Sequence, residues 1–160
     1  VLYRFSKALR QLDVANASYW NAYLLSTRET AELRAEDETM GQALIRVLGK
    51  TEEGNPCPIE SPISYTCALA FAGHIWNIRT DDCAAGYLWS WAENQVLSAL
   101  KLIPLGQTAG QRLLCSLSPV LSAAAERGAN CLDEDIGMSA PGIAMASSWH
   151  ENQYSRLFRS

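Results

Sequence analysis

The feature that most constrains the fold is a helical spacing of apolar residues along almost the whole chain. The longest such run covers residues 80–103, and its apolar stripe consists of Leu88, Ala92, Val96, Ala99 and Ile103. Residues spaced by three and four positions lie on one face of a helix. Alternating patterns are short, and the sequence holds no Asn-Gly or Asp-Gly hairpin turn. The sequence therefore predicts an all-α fold, a single helical bundle spanning residues 1–160 without a sheet.

Capping residues and prolines predict where individual helices begin and end. Asp13 or Asn16 is expected to cap the second helix, because their side chains accept hydrogen bonds from free backbone N–H groups. Pro62 is expected in the first turn of a helix, where its missing N–H costs nothing. Pro104 is expected to stop the long helix before it. Pro119 lies inside the next helical pattern and predicts a kink or a break there.

Composition and charge narrow the classes of partner. The chain has 160 residues, the length of one domain, with 48% hydrophobic and 19% charged residues. The net charge is −4 and the pI is about 5.2, so neither a nucleic acid nor an anionic membrane is an expected partner. No apolar run reaches 18 residues, so no membrane span is expected. Because the chain opens at Val1 within an amphipathic pattern, we expect the N-terminal part of the protein to be missing.

The segment KLIPLGQTAGQRLL, residues 101–114, looks at first like a phosphate-binding loop. A P-loop requires Lys after its last glycine and a strand before it, and here Gln111 follows Gly110. We therefore expect a junction between two helices, at which Gly106 and Gly110 allow a close approach. Gln107 and Gln111 share a face and are expected to satisfy buried carbonyls.

The residues that most often carry catalysis or bind metals form no convincing constellation. His150-Glu151 begins an HExxH zinc motif, but the second histidine position is Tyr154, so that motif fails. His74 lies in an apolar, small-residue helix and is more typical of an ordinary core or surface histidine than of a ligand. The five cysteines are widely spaced and are expected to be reduced and buried. The residues thus favour a protein-binding helical module over an enzyme.

The C-terminal tail HENQYSRLFRS, residues 150–160, carries residues that are costly to leave in solvent. Tyrosine, phenylalanine, leucine and arginine together are typical of binding hot spots. Chain termini usually fray, so such a segment either docks on its own domain or binds a partner.

Three segments resemble the urease accessory protein F (UreF) family. They are LLSTRETAELRAED, GYLWSWAENQVLSALKLIPLGQTAGQRLL and the tail HENQYSRLFRS. The resemblance covers essentially all 160 residues, but the family's N-terminal Pro-x-Gly-Gly-Phe/Tyr-Ser-type stretch is absent. The chain therefore resembles roughly the C-terminal two-thirds to three-quarters of such a protein.

The resemblance implies a cytoplasmic, all-α, dimeric protein that is not an enzyme. It implies a scaffold joining urease accessory protein D (or H) to the GTPase UreG, which delivers nickel to apo-urease in a GTP-dependent manner. No cofactor would be bound tightly, nickel would be handled transiently, and GTP would be bound by UreG. The alternative is a stand-alone helical metal-binding protein or enzyme; an isolated storage protein would bind nickel in equilibrium dialysis.

The resemblance also assigns residues to these partners. Lys101 is the candidate contact with the GTPase. Gln107 and Gln111 are either structural or line a polar path for the metal. The tail residues expected to bind the D/H protein are Tyr154, Arg156, Leu157, Phe158 and Arg159.

Overall fold

The computed structural model of the protein describes residues 1–51, 56–137 and 140–154. All regular structure in these residues is helical, which confirms the predicted all-α fold. The helices are α1 (Leu2–Arg10), α2 (Val14–Ser26), α3 (Ala31–Leu48), α4 (Tyr65–Ile75), α5 (Thr80–Leu102), α6 (Gln107–Asn130) and α7 (Pro141–Glu151), with a short 3₁₀ turn at Asp133–Asp135.

Side-chain caps begin three of the helices. The Asp13 carboxylate accepts a hydrogen bond from the Asn16 N–H at 3.0 Å, so Asp13 rather than Asn16 caps α2. Thr30 caps α3 and Ser64 caps α4 in the same way. Each cap satisfies one of the backbone donors that a helix start leaves without an intrahelical partner.

Of the three predictions made from prolines, one is correct and two are wrong. Pro104 follows the end of α5 at Leu102, as predicted. The position predicted for Pro62 is wrong, because α4 begins only at Tyr65. A break at Pro119 is also wrong, since α6 runs uninterrupted through it. Pro119 is exposed, while Leu117 and Leu121 on either side of it pack in the α5–α6 cluster and hold the helix together.

The apolar residues form two clusters that share α5. The main cluster is built from α1, α2, α4, the end of α3, the loop before α4 and the start of α5. The smaller cluster joins the second half of α5 to α6 and contains Ala92, Val96 and Leu114. The predicted stripe on α5 is therefore correct at its centre. It is wrong at Ile103, which lies beyond the helix end and is 52% exposed.

Two buried polar side chains fix the start of α4 against α2 and α3. Asn21 donates to the Pro62 carbonyl and accepts from the Ser64 N–H, both at 2.9 Å. Asp37 accepts from the Tyr65 N–H and from the Arg28 guanidinium, also at 2.9 Å. These bonds satisfy groups that would be costly to bury without partners.

Candidate partner-binding surface

The KLIPLGQTAGQRLL segment forms the tip of a hairpin between α5 and α6. Every residue from Lys101 to Ala109 is exposed. Gly110 is buried, and a Cβ placed there would lie 2.8 Å from Leu100 Cδ1, so this glycine does permit a close helix contact. A Cβ on Gly106 would meet nothing within 4 Å. The packing role predicted for Gly106 is therefore wrong, since it precedes α6 as its N-cap in open space.

Large apolar side chains are exposed at the hairpin tip and on the neighbouring turns of α5 and α6. Their exposed fractions are 44% for Leu97, 61% for Leu102, 52% for Ile103, 41% for Leu105 and 43% for Leu113. Contiguous exposed apolar surface rimmed by polar residues is typical of protein-binding sites. Gln107 and Gln111 are exposed on α6, which disagrees with a role in satisfying buried carbonyls of this chain.

The C-terminal helix α7 is attached at a separate place, the N-terminus of α3. The Glu32 N–H donates to the Glu151 carboxylate at 2.7 Å, and His150 Nδ1 lies 2.8 Å from the Glu32 carboxylate. The Thr30 and Ser147 hydroxyl oxygens are 2.7 Å apart. We call these five residues the α3–α7 latch. His150 and Glu151, which begin a zinc motif in the sequence, thus serve to attach a helix.

The tail follows directly from this attachment. Tyr154 is fully exposed. The remaining tail candidates, Arg156, Leu157, Phe158 and Arg159, lie outside the described residues. The structure places Tyr154 just after α7 and Lys101 at the end of α5, so the two candidate contacts lie on different elements.

Most of the cysteine thiols are at least partly buried. Cys67 and Cys83 are buried, Cys57 and Cys131 are half-buried, and burial raises the pKa of the Cys67 thiol to about 12. A thiol with so high a pKa is protonated at neutral pH and is a poor nucleophile or metal ligand. Cys115 departs from the predicted burial because it lies on the exposed side of α6.

The part of the chain described by the structure holds no group of three or more His, Cys, Asp or Glu residues arranged to bind a metal ion. His74 is exposed on α4, which agrees with an ordinary surface histidine. Among the described helices, none combines the length and the apolar character needed to cross a membrane.

Sequence reasoning missed the residues that join the elements. Asp37 sits in a charged run, Arg28 to Glu38, that is typical of a solvated face, yet Asp37 is only 8% exposed. Glu32 and Ser147 gave no signal either. Their partners lie more than 100 positions away in the chain, and no local pattern encodes such a pairing.

These features define a class: an all-helical protein with exposed apolar side chains at a hairpin tip and a C-terminal helix held by polar contacts. The sequence model of one family, UreF, matches residues 1–118. The chain belongs to the UreF family.

Relatives named urease accessory protein UreF match along the whole chain. The protein from Alkalilimnicola ehrlichii is 45% identical over 99% of this chain and 71% of its own length. The protein from Hahella chejuensis is 43% identical, covering 100% of this chain and 72% of its own. The protein from a Nostoc species is 38% identical, over 100% and 71% respectively. All three are named as accessory proteins.

Proposed function

We propose that the chain is a cytoplasmic urease accessory scaffold that joins the D/H accessory protein to the GTPase UreG. In this role it acts in the GTP-dependent delivery of nickel to apo-urease, as a homodimer and without catalysis of its own. The observation that carries the proposal is family membership: the family model matches residues 1–118, and relatives named urease accessory proteins match along nearly the whole chain. GTP belongs to the partner GTPase, and nickel passes transiently through the complex.

Two separate surfaces support a role in joining two proteins. The hairpin tip presents the exposed Lys101 together with exposed leucines and an isoleucine, and exposed apolar side chains rimmed by polar ones are typical of protein-binding surfaces. Tyr154, the first of the assigned tail residues, lies just beyond the end of α7 and is fully exposed. We assign Tyr154, Arg156, Leu157, Phe158 and Arg159 to the D/H protein. Gln107 and Gln111 then contact a partner or line a polar path for the ion.

Co-purification with the D/H protein and UreG tests the scaffold directly. Size-exclusion chromatography with light scattering is expected to give a stoichiometric complex that contains all three proteins. A chain that elutes alone in the presence of both partners would contradict the proposal.

Truncation after Gln153 tests the tail separately from the fold. Because His150 and Glu151 hold α7 on α3, a deletion that starts at residue 150 would also cut the latch. Removing only residues 154–160 is expected to abolish D/H binding and to leave the thermal unfolding midpoint within about 2 °C. UreG binding of the same variant is the control. Undiminished D/H binding would refute the assignment of the tail.

A further inference from the structure

A small polar cavity lies where the ends of three helices meet, at the opposite end of α5 from the hairpin tip. Its volume is about 140 Å³, and its walls come from the second half of α1, the end of α4 with the turn after it, and the first turn of α5. Hydrogen-bond donors dominate its polar lining, and no carboxylate is part of it. The lining donors are the side chains of Ser6, Arg10, His74, Asn77 and Thr80.

Ser6 is the buried polar residue of this cavity. It lies in α1 and is only 6% exposed. Within the part of the chain that the structure describes, its hydroxyl makes no hydrogen bond, whereas its carbonyl accepts one from Arg10 Nε at 3.3 Å. Buried hydroxyl groups are normally hydrogen-bonded, because burial without a partner is costly. A molecule bound in the cavity would supply that partner.

Arg10 brings a positive charge to the same cavity. Its Nε donates to the Ser6 carbonyl and its Nη2 donates to the Thr80 hydroxyl oxygen, so the guanidinium is held between α1 and α5. A guanidinium has five N–H donors in one plane, and these two bonds leave others for a ligand. Such a planar set of donors matches two oxygens of a phosphate-type anion.

The start of α5 adds backbone donors beside Thr80, the first residue of the helix. The N-cap residue Arg79 makes no side-chain cap bond, and its guanidinium instead binds the Asp82 carboxylate at 2.8 and 2.9 Å. The first N–H groups of a helix have no intrahelical partner and carry a partial positive charge. Asp81 and Asp82 also lie in this turn, but neither lines the cavity.

We propose that this cavity binds a small oxyanion of the phosphate class. The hydroxyls of Ser6 and Thr80 and the guanidinium of Arg10 donate to its oxygens, and the amides at the start of α5 complete the site. Ligand pockets for larger molecules measure roughly 300–1,000 Å³, so this cavity admits one compact ion and excludes a nucleotide. The ion joins α1 to α5 and stabilises the folded chain by mass action. This site is independent of the proposed function.

Titration with inorganic phosphate tests the site without any partner protein. The measurement is the amide NMR shifts of the chain at constant ionic strength, with sodium chloride as the balancing salt. We expect saturable, one-to-one binding with shifts confined to residues 6–10 and 73–83. Sulfate, which has the same shape, is expected to compete. Shifts that rise without saturation, or that spread over the other arginines of the surface, would overturn the proposal.

Ser6→Ala tests the buried hydroxyl. Alanine is the best helix former, so α1 is expected to stay folded, with the thermal unfolding midpoint without phosphate within about 2 °C of the unmodified chain. The dissociation constant for phosphate is expected to rise about tenfold, the usual effect of losing one hydrogen bond to a charged group. Unchanged phosphate binding by this folded variant would show that Ser6 faces no ligand and would overturn the site.

Arg10→Gln tests the charge and has a matched control on the same helix. The variant is expected to weaken phosphate binding at least about tenfold. Lys7→Gln removes the same charge from an exposed position that lines a different groove, and is expected to stay within about twofold. If both variants weaken binding equally, overall charge accounts for it and the site is refuted.

O-phosphoserine separates a small ion from a phosphorylated residue of a partner protein. It carries the same phosphate group on a larger body, which a cavity of about 140 Å³ cannot enclose. We therefore expect it to bind more weakly than inorganic phosphate in the same titration. Tighter binding of O-phosphoserine would overturn the assignment to a small ion.

Discussion

Asp37 shows how one buried carboxylate connects three parts of the fold. It lies in α3 and accepts hydrogen bonds from Arg28, before α3, and from the Tyr65 N–H at the start of α4. Removing such an acceptor leaves two donors without a partner in a poorly solvated place. The cost of that loss exceeds the net value of either bond.

Asp37→Ala is therefore expected to lower the free energy of unfolding by about 2–3 kcal/mol. The matched control is Glu38→Ala, which breaks the neighbouring i,i+4 pair with Arg34. Arg34 is 51% exposed in that pair, so the control is expected to change stability by no more than about 0.5 kcal/mol. Urea denaturation measures both values, and equal losses would contradict the role given to Asp37.

The cysteines offer a second test at the scale of single residues. With its pKa raised to about 12 by burial, the Cys67 thiol is expected to resist iodoacetamide at pH 8 in the folded protein. Cys115 is exposed and is expected to react first. Peptide mass spectrometry of a time course distinguishes the two sites, with urea-unfolded protein as the control. Early labelling of Cys67 in the folded state would contradict its burial.

The raised pKa of Cys67 also makes the folded protein less stable in alkaline solution. The unfolded thiol loses its proton near pH 9.0, whereas the folded one keeps it until about pH 12. Between these values the unfolded chain binds fewer protons, so the free energy of unfolding falls as pH rises.

At the scale of elements, the contact of α3 with the segment before α4 depends on one glycine. A Cβ on Gly41 would lie 2.1 Å from the Ile63 carbonyl oxygen and 2.8 Å from the Ser64 carbonyl carbon. Both are backbone atoms, which cannot move aside as a side chain can. Position 41 must therefore be a glycine for α3 and the segment before α4 to pack this closely.

Gly41→Ala is expected to lower the free energy of unfolding by at least about 2 kcal/mol, because the elements must separate. Gly128→Ala in α6 is the matched control. A Cβ there meets nothing within 4 Å, so the better helix propensity of alanine should raise stability by about 0.5–1 kcal/mol. Thermal and urea unfolding of both variants give the signs, and equal signs would contradict the close approach.

Most helices and several of their ends could be predicted from the sequence because apolar spacing, caps and prolines act locally, although the start of α4 and the continuity of α6 through Pro119 could not. Asp13 and Pro104 mark their boundaries through contacts within a few residues. The connections between helices could not be predicted. The sequence predicts that Asp37 is exposed, because Asp37 lies among other charged residues. Glu151 accepts a hydrogen bond from the start of a helix 119 positions earlier in the chain. Polar pairing of this kind is decided by packing, and local sequence patterns do not encode it.

At the scale of the molecule, α5 links the main core to the α5–α6 hairpin. Its first half, with Cys83 and Ala84, belongs to the main cluster, and its second half packs with α6 in the smaller one. The hairpin tip thus lies at the end of a thinly packed extension. A surface placed there can be changed without disturbing the main core.

Because the hairpin tip lies away from the main core, the substitution Lys101→Glu can test the proposed GTPase contact. Lys101 is exposed on the last turn of α5, so reversing its charge is expected to weaken the proposed GTPase contact if that contact uses the positive charge. Binding to UreG is expected to weaken at least about tenfold, and D/H binding to stay within about twofold. Lys50→Glu, at an exposed position after α3, makes the same change in net charge and is the control. Biolayer interferometry at two salt concentrations measures all four affinities. If both variants weaken UreG binding equally, the overall charge of the protein matters rather than the hairpin tip. If Lys101→Glu loses binding to both partners, the hairpin no longer folds.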